Sequence, residues 1–181
     1  MIRVFIGFDQ VEAVAWHTLT QSIIENTTVP VSITPIKISM LPEYKRVRNP
    51  KQSNEFSFTR FLVPHLCNYE GWGLFMDCDM MFRTDVKELW DLRDDTKSVQ
   101  VVKHDYTPKN QTKYLGAIQY PYPRKNWSSV MLFNCSHIDC QRLTPSLVNH
   151  GDPMMLHRMH WTSDECVGCL LYTSPSPRDT N

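Results

Sequence analysis

Leu74-Phe75-Met76-Asp77-Cys78-Asp79 is an apolar run that ends in two carboxylates two positions apart. In an extended chain alternate side chains share one side of the backbone, so Asp77 and Asp79 leave the end of a strand in the same direction. Carboxylates in that arrangement suit Mg²⁺ or Mn²⁺, which take one or two acidic side chains and fill the rest of an octahedron with water and substrate phosphate. Ligands of open parallel sheets collect outside the carboxyl ends of strands, which is where these acids fall. The stretch therefore predicts an α/β sheet and, as its partner, a metal-bound phosphate ester or diphosphate.

Upstream, Phe56 to Leu66 carries Phe58, Phe61, Leu62 and Leu66 at helical spacing and leads into a strand from Trp72 to Met76. Arg60 sits on that helix, and spacing alone leaves open an exposed residue paired with Glu55 or Glu70. The chain opens with the apolar run Val4-Phe5-Ile6-Gly7, then a helix from Val11 to Asn26 with Val14, Ala15, Thr18, Leu19 and Ser22 or Ile23 on one face. Val31 to Ile38 is rich in β-branched residues and reads as a second strand. This is a βαβ unit, hence a parallel pair with a right-handed crossover. Pro30, Pro35 and Pro42 put the second strand near an edge or end it early. The basic stretch between Leu41 and Asn54, with Lys45, Arg46, Arg48 and Lys51, is a connection that is either solvated or a flap over an anion.

Downstream, Thr84 or Asp85 caps a short helix through Trp90, and Val99-Gln100-Val101-Val102 is a strand ending in Lys103-His104-Asp105. Residues 106–126 form a long loop of the kind that carries function, and Val130-Met131-Leu132-Phe133 returns as a strand. Trp127 is either a sugar-stacking ring or a core residue.

Composition narrows the partners. Lysine plus arginine equals aspartate plus glutamate at 19 each, which argues against nucleic acid or an anionic membrane held by bulk charge. The first residues are interrupted by Asp9 and Glu12 too early for a signal peptide, and no segment has the apolar length to cross a bilayer. A cytoplasmic protein with reduced cysteines is expected.

Taken together, Phe58-Thr59-Arg60-Phe61-Leu62-Val63-Pro64, the run through Asp77-Cys78-Asp79, and Asp85-Val86-Lys87-Glu88-Leu89-Trp90 resemble, in order and spacing, a nucleotide-sugar glycosyltransferase of the GT-A fold, family 8. The resemblance covers residues 2 to about 168. It implies a Rossmann-like, mostly parallel sheet with flanking helices, in a single domain over residues 1–168. It also implies transfer of a sugar from a nucleotide diphosphate donor, UDP in the first place, to a hydroxyl of a glycan, lipid or protein, leaning towards retention at the anomeric carbon. Asp79 would hold Mn²⁺ (or Mg²⁺) and Asp77 the metal or the ribose. Arg60 would approach the phosphates or donor sugar, and Phe8 and Asp9 the nucleobase or ribose, although Asp9 also reads as a helix cap. Asp164, with Glu165 next, matches the region of an acid near the reacting sugar. The turn Lys125-Asn126-Trp127-Ser128-Ser129 departs from the family's usual Asn-Ala-Gly. The family's metal-binding histidine would come from a segment beyond Gly168, and a chain without it is expected to bind nucleotide weakly.

Cys169 to Asp179 resembles an in-frame translation of a transposase-type sequencing adapter, so residues 169–181 are expected to be a non-native, disordered tail on a truncated domain. That disfavours His157-x-x-His160 with Cys166-x-x-Cys169 as a zinc site, since its fourth ligand lies in the tail. Three other readings compete. A non-catalytic nucleotide-sugar or glycan-binding domain would share every motif. A haloacid-dehalogenase-like phosphatase wants Thr or Val where Met81 stands and a later acidic pair after a strand. A nucleotidyltransferase wants a glycine-rich first loop, where only Gly7 is present.

Overall fold

A computed structural model of the chain describes residues 1–49, 52, 54–104 and 128–173. The expected strand–helix–strand opening is present: β1 (Ile2–Gly7), α1 (Ala13–Asn26) and β2 (Val31–Ile36), with β1 and β2 parallel in the register Ile2↔Val31 to Gly7↔Ile36. Strand β1 is central, so Val4, Phe5 and Ile6 are all buried, whereas Pro35 lies on the edge strand, where its missing N–H breaks no ladder. The stripe of α1 that faces the sheet runs through Ala15, Trp16, Leu19, Ser22 and Ile23. Val14, expected on it, is 81% exposed. Thr18 is exposed as well, while Ala15, Leu19, Ser22 and Ile23 lie on the expected face.

The second predicted helix is shorter than expected. Thr59–Leu62 is a 3-10 turn, and only α2 (Val63–Leu66) is α-helical. Pro64 has no N–H to return to the Arg60 carbonyl, so one continuous α-helix could not form there. Phe56, Phe58, Phe61 and Leu62 still deliver the predicted apolar face, while Leu66 is 37% exposed.

After it come β3 (Trp72–Met76), α3 (Val86–Trp90), β4 (Val99–His104), β5 (Val130–Asn134), α4 (Pro145–His150), α5 (Pro153–His157) and β6 (Val167–Thr173). Asp85 caps α3 by accepting from the Lys87 N–H, and Thr144 and Asp152 cap α4 and α5 in the same manner. The sheet order is β2-β1-β3-β5-β4-β6. β5 runs against both its neighbours and the other strands share one direction, which is the mostly parallel GT-A layout. β4 extends beyond the predicted Val102 to His104, and residues 105–127, including the long loop and Trp127, lie outside the described residues.

The expected disordered tail is corrected over its first five residues. Val167 to Thr173 pairs in parallel with β4, from Val99↔Val167 to His104↔Thr173, with Leu170 buried at 6%. An apolar, β-prone run beside an unpaired edge of β4 is enough to extend the sheet.

Candidate active site

Three connections meet at the carboxyl ends of β1 and β3. Ile6 pairs with Met76 and Met76 with Val130, so the residues after β1, the Asp77-Cys78-Asp79 turn and the lead-in to β5 all leave the sheet side by side. The Asp77 N–H donates to the Ser129 carbonyl at 2.8 Å, which locks the first acid to that lead-in. Helices follow β1 and β3 while β2 lies on the other flank, so the acids stand at a switch in strand order.

Asp77 is held from behind. Arg60 Nη1 lies 3.1 Å from Asp77 Oδ1, with the side chains 5% and 17% exposed. The guanidinium is fixed by donation from Nε to the Phe56 carbonyl at 3.2 Å and from Nη1 to the Ser128 carbonyl at 2.6 Å, and it lies over the Phe75 ring at 4.9 Å. The surface pairing with Glu55 or Glu70 is thereby overturned: Arg60 is a buried counter-charge to Asp77, because the short 3-10 turn faces it into the sheet. Burial nonetheless pushes the Asp77 carboxyl up to about 6, against the pull of Arg60 and with help from the neighbouring charges of Asp79 and Glu12. Asp77 Oδ1 is buried and takes no directed hydrogen bond, so its contact with Arg60 is ionic only. Asp79 is exposed. A buried carboxylate oxygen with spare acceptor capacity beside a solvent-facing carboxylate is a donor set that fits a hard divalent cation.

Glu12 is a member of this site that sequence reading missed. Cys78, buried between the two acids in sequence, donates its thiol to Glu12 Oε2 at 3.3 Å, and the surrounding carboxylates and burial push that thiol up to about 12. No motif contains Glu12; only its place in the turn after β1, beside the end of β3, could have found it. Asp9 is buried at 3% and accepts from the Val11 N–H at 3.1 Å and the Glu55 N–H at 3.0 Å, which is the cap role left open for it. Phe8 is half-buried, edge-on to Trp16 with centroids 6.0 Å apart, and Lys37 Nζ stands 5.1 Å over its ring. The basic connection is partly tied down, since Arg46 donates to the Val148 and Gly151 carbonyls at 2.8 and 3.0 Å and stacks on Phe58 at 3.9 Å.

A family model described as glycosyl transferase family 8 matches residues 2–154. The chain belongs to glycosyl transferase family 8. It is 47% identical over 173 residues to protein CDI of Arabidopsis thaliana, covering 94% of this chain and 67% of that protein. By structure it is similar to the bifunctional glycosyltransferase WbbM, with a TM-score of 0.56, 16% identity and coverage of 81% of this chain; it spans 34% of WbbM. It is similar also to the galactosyltransferase LgtC, solved with donor and acceptor sugar analogues, with a TM-score of 0.51 and 11% identity over 93% of this chain and 73% of that one. These likenesses establish the GT-A fold. Family membership takes the place of the phosphatase reading.

Within this family 8 chain, Asp164 and Glu165 do not join Asp77 and Asp79. They form an exposed 3-10 turn immediately before β6. Val167 is level with Val99, Val99 with Phe133, and Phe133 with Gly73 near the start of β3. The turn is thus at the opposite end of the sheet, about 13 Å along the strands and about 14 Å across them from Asp77. Sequence order put these acids near the donor, but a strand parallel to β4 must begin where β4 begins. The zinc quartet is likewise absent among the described residues: His157 packs against the Phe58 and Phe61 rings at 5.0 and 5.4 Å, and Cys166 gathers instead with His137 and Asp139.

Proposed function

We propose that the chain binds a nucleoside diphosphate sugar, UDP-linked in the first place, and transfers the sugar to a hydroxyl of a glycan, lipid or protein. The observation that carries this reading is the buried, undersatisfied Asp77 Oδ1 beside the open Asp79 at the carboxyl ends of β1 and β3, in a family 8 chain. Asp77 and Asp79 would hold Mn²⁺ or Mg²⁺, which when bound supplies Lewis-acid neutralisation of a departing diphosphate. Arg60 keeps the Asp77 carboxylate in place, its guanidinium held by the Phe56 and Ser128 carbonyls. Phe8, stiffened by Trp16 and topped by Lys37, offers a ring face beside an ammonium for the base and ribose, and Asp9 shapes the turn that presents it. The balanced net charge favours a small-molecule donor over nucleic acid.

A cytoplasmic location is part of this proposal, supported by six cysteines that are all free thiols. The test is calorimetric titration of UDP with and without Mn²⁺, on the unaltered chain and on Asp79→Asn. Mn²⁺-dependent binding that is lost in the variant supports the assignment, and unchanged binding in the variant sinks it. Release of free sugar from a UDP-sugar then separates a working transferase from a domain that only binds.

A further inference from the structure

The side chains at the end of the sheet remote from Asp77 have a different chemistry. His137 and Asp139 lie in the turn after β5, and Cys166 closes the 3-10 turn immediately before β6. One donor atom from each falls within 4.8 Å of the other two, and all three residues are half-buried. His137 Nδ1 is 3.9 Å from Asp139 Oδ2. We propose that His137, Asp139 and Cys166 form a second cation site, for a thiophilic divalent ion of which Zn²⁺ is the type.

The donor set selects the ion. Mg²⁺ and Mn²⁺ favour oxygen alone, whereas a thiolate beside an imidazole and a carboxylate is a Zn²⁺ combination. Tetrahedral Zn²⁺ with bonds of about 2.0–2.3 Å holds its ligand atoms about 3.3–3.8 Å apart, so the cluster needs a closure of roughly 1 Å at its widest, within the reach of side-chain rotation. The scaffold behind the donors is already built. Thr162 donates to Asp139 Oδ2 at 2.6 Å, and its oxygen is 2.7 Å from Ser98 Oγ. Ser98 in turn donates its backbone N–H to the Cys166 carbonyl at 3.0 Å, which leaves its single hydroxyl hydrogen for the Thr162 oxygen. This chain of bonds fixes the carboxylate and the cysteine backbone to one another and leaves Asp139 Oδ1 and the thiol to bind, as outer partners do around bound zinc. His137 Nδ1 accepts from the Asp139 N–H at a long 3.2 Å, a bond that the ion would replace. Three protein donors leave the fourth position for water. A bound ion would clamp the turn after β5 to the first residues of β6, and so tether the edge strand.

The test is titration of the chelator-treated full chain, carrying Asp79→Asn to silence the other acids, with Co²⁺ and then with Zn²⁺. One equivalent of Co²⁺ should produce the near-ultraviolet thiolate-to-cobalt absorption, and Zn²⁺ should bleach it. Cys166→Ser should remove the band, His137→Gln should weaken binding at least tenfold, and Cys169→Ser should leave both unchanged. No band in the parent chain, or a band that survives Cys166→Ser, overturns the proposal. If Cys166→Ser does not fold, His137→Gln decides: binding unchanged there overturns it equally. Since the readout needs neither nucleotide nor sugar, its failure is separate from failure of the transferase reading.

Discussion

At the carboxyl ends of β1 and β3 the polar groups are oxygen donors backed by one buried guanidinium; at the far end, around the starts of β4 and β6, they are an imidazole, a thiol and a carboxylate. The first end is organised by burial, because backbone carbonyls hold Arg60, Arg60 holds Asp77, and Glu12 accepts from the Cys78 thiol. The second is organised by hydroxyl relays through Thr162 and Ser98 on a half-open surface. One sheet can therefore carry a hard-cation site and a soft-cation site without the two competing for ions, and mutations at the two ends should have different signatures.

The largest effect should follow Arg60→Ala. Removing one partner of a buried pair leaves the other charge uncompensated, at a cost of about 3–5 kcal/mol. Urea denaturation should show that loss, and Mn²⁺ affinity at neutral pH should fall with it, since Asp77 would then hold its proton still more firmly. A variant of parental stability would mean that the Arg60–Asp77 contact contributes nothing and that this end is not organised by burial.

Asp77 also makes this end sensitive to pH. Its carboxyl sits at about 6 against an ordinary 3.8, so the folded chain without cation binds the proton more tightly than the unfolded chain. The sign follows: this contribution, roughly 3 kcal/mol at most, is fully present below about pH 4 and is lost as pH rises through about 6. Melting temperature measured without divalent ions should fall across that window, and Asp77→Asn should flatten the slope. Proton and cation compete for the same oxygen, so Mn²⁺ affinity should drop about tenfold between pH 7 and pH 5. A flat affinity profile would remove Asp77 from the cation site.

Packing beneath the site gives a smaller effect. A Cβ on Gly7 would stand inside the van der Waals surface of the Phe56 ring, which is fully buried under the end of β1. Gly7→Ala should cost about 1–3 kcal/mol, as overpacking does, and should loosen the Phe56 carbonyl that holds Arg60. Phe56→Leu in the same chain should recover part of the loss.

Much of the carboxyl end was legible in the sequence because its signals are local. The apolar run Leu74-Phe75-Met76 fixes a strand, and the β-branched run from Val31 with its prolines fixes a second one at the edge. Arg60 was located but its environment was not, because the 3-10 turn Thr59–Leu62 points side chains differently from the helix that the periodicity implies. Glu12 was invisible because its partner, the Cys78 thiol, is remote in sequence and brought near only by β1–β3 pairing. The far end was misread for the same reason. Which acid stands near which strand end depends on strand direction, and nothing local in Asp164-Glu165 states that β6 runs parallel to β4.

Glu12→Gln should act more gently than any change so far. It keeps an acceptor for the Cys78 thiol and removes one negative charge near Asp77, so the Asp77 carboxyl should move down by less than about 1 unit. The pH at which Mn²⁺ affinity is half lost should shift down with it, while affinity above pH 8 stays level. A loss of affinity at high pH would instead make Glu12 a direct ligand.

The smallest expected effect is the one that bears hardest on the comparison. Asp164→Asn and Glu165→Gln lie on an exposed turn at the far end, where the Glu165 carbonyl accepts from Lys97 Nζ at 2.9 Å. Both should leave Mn²⁺-dependent UDP binding and any sugar release within about twofold of the parent, an energy change below about 0.5 kcal/mol. Substitution of an exposed acid remote from the donor has no route to the diphosphate except long-range charge, which salt screens over about 10 Å. A drop of a hundredfold in sugar release, with UDP affinity intact, would require one of these acids to reach the reacting sugar. The order β5-β4-β6 forbids that, so the result would mean that the segment entering β6 takes another path in the working enzyme.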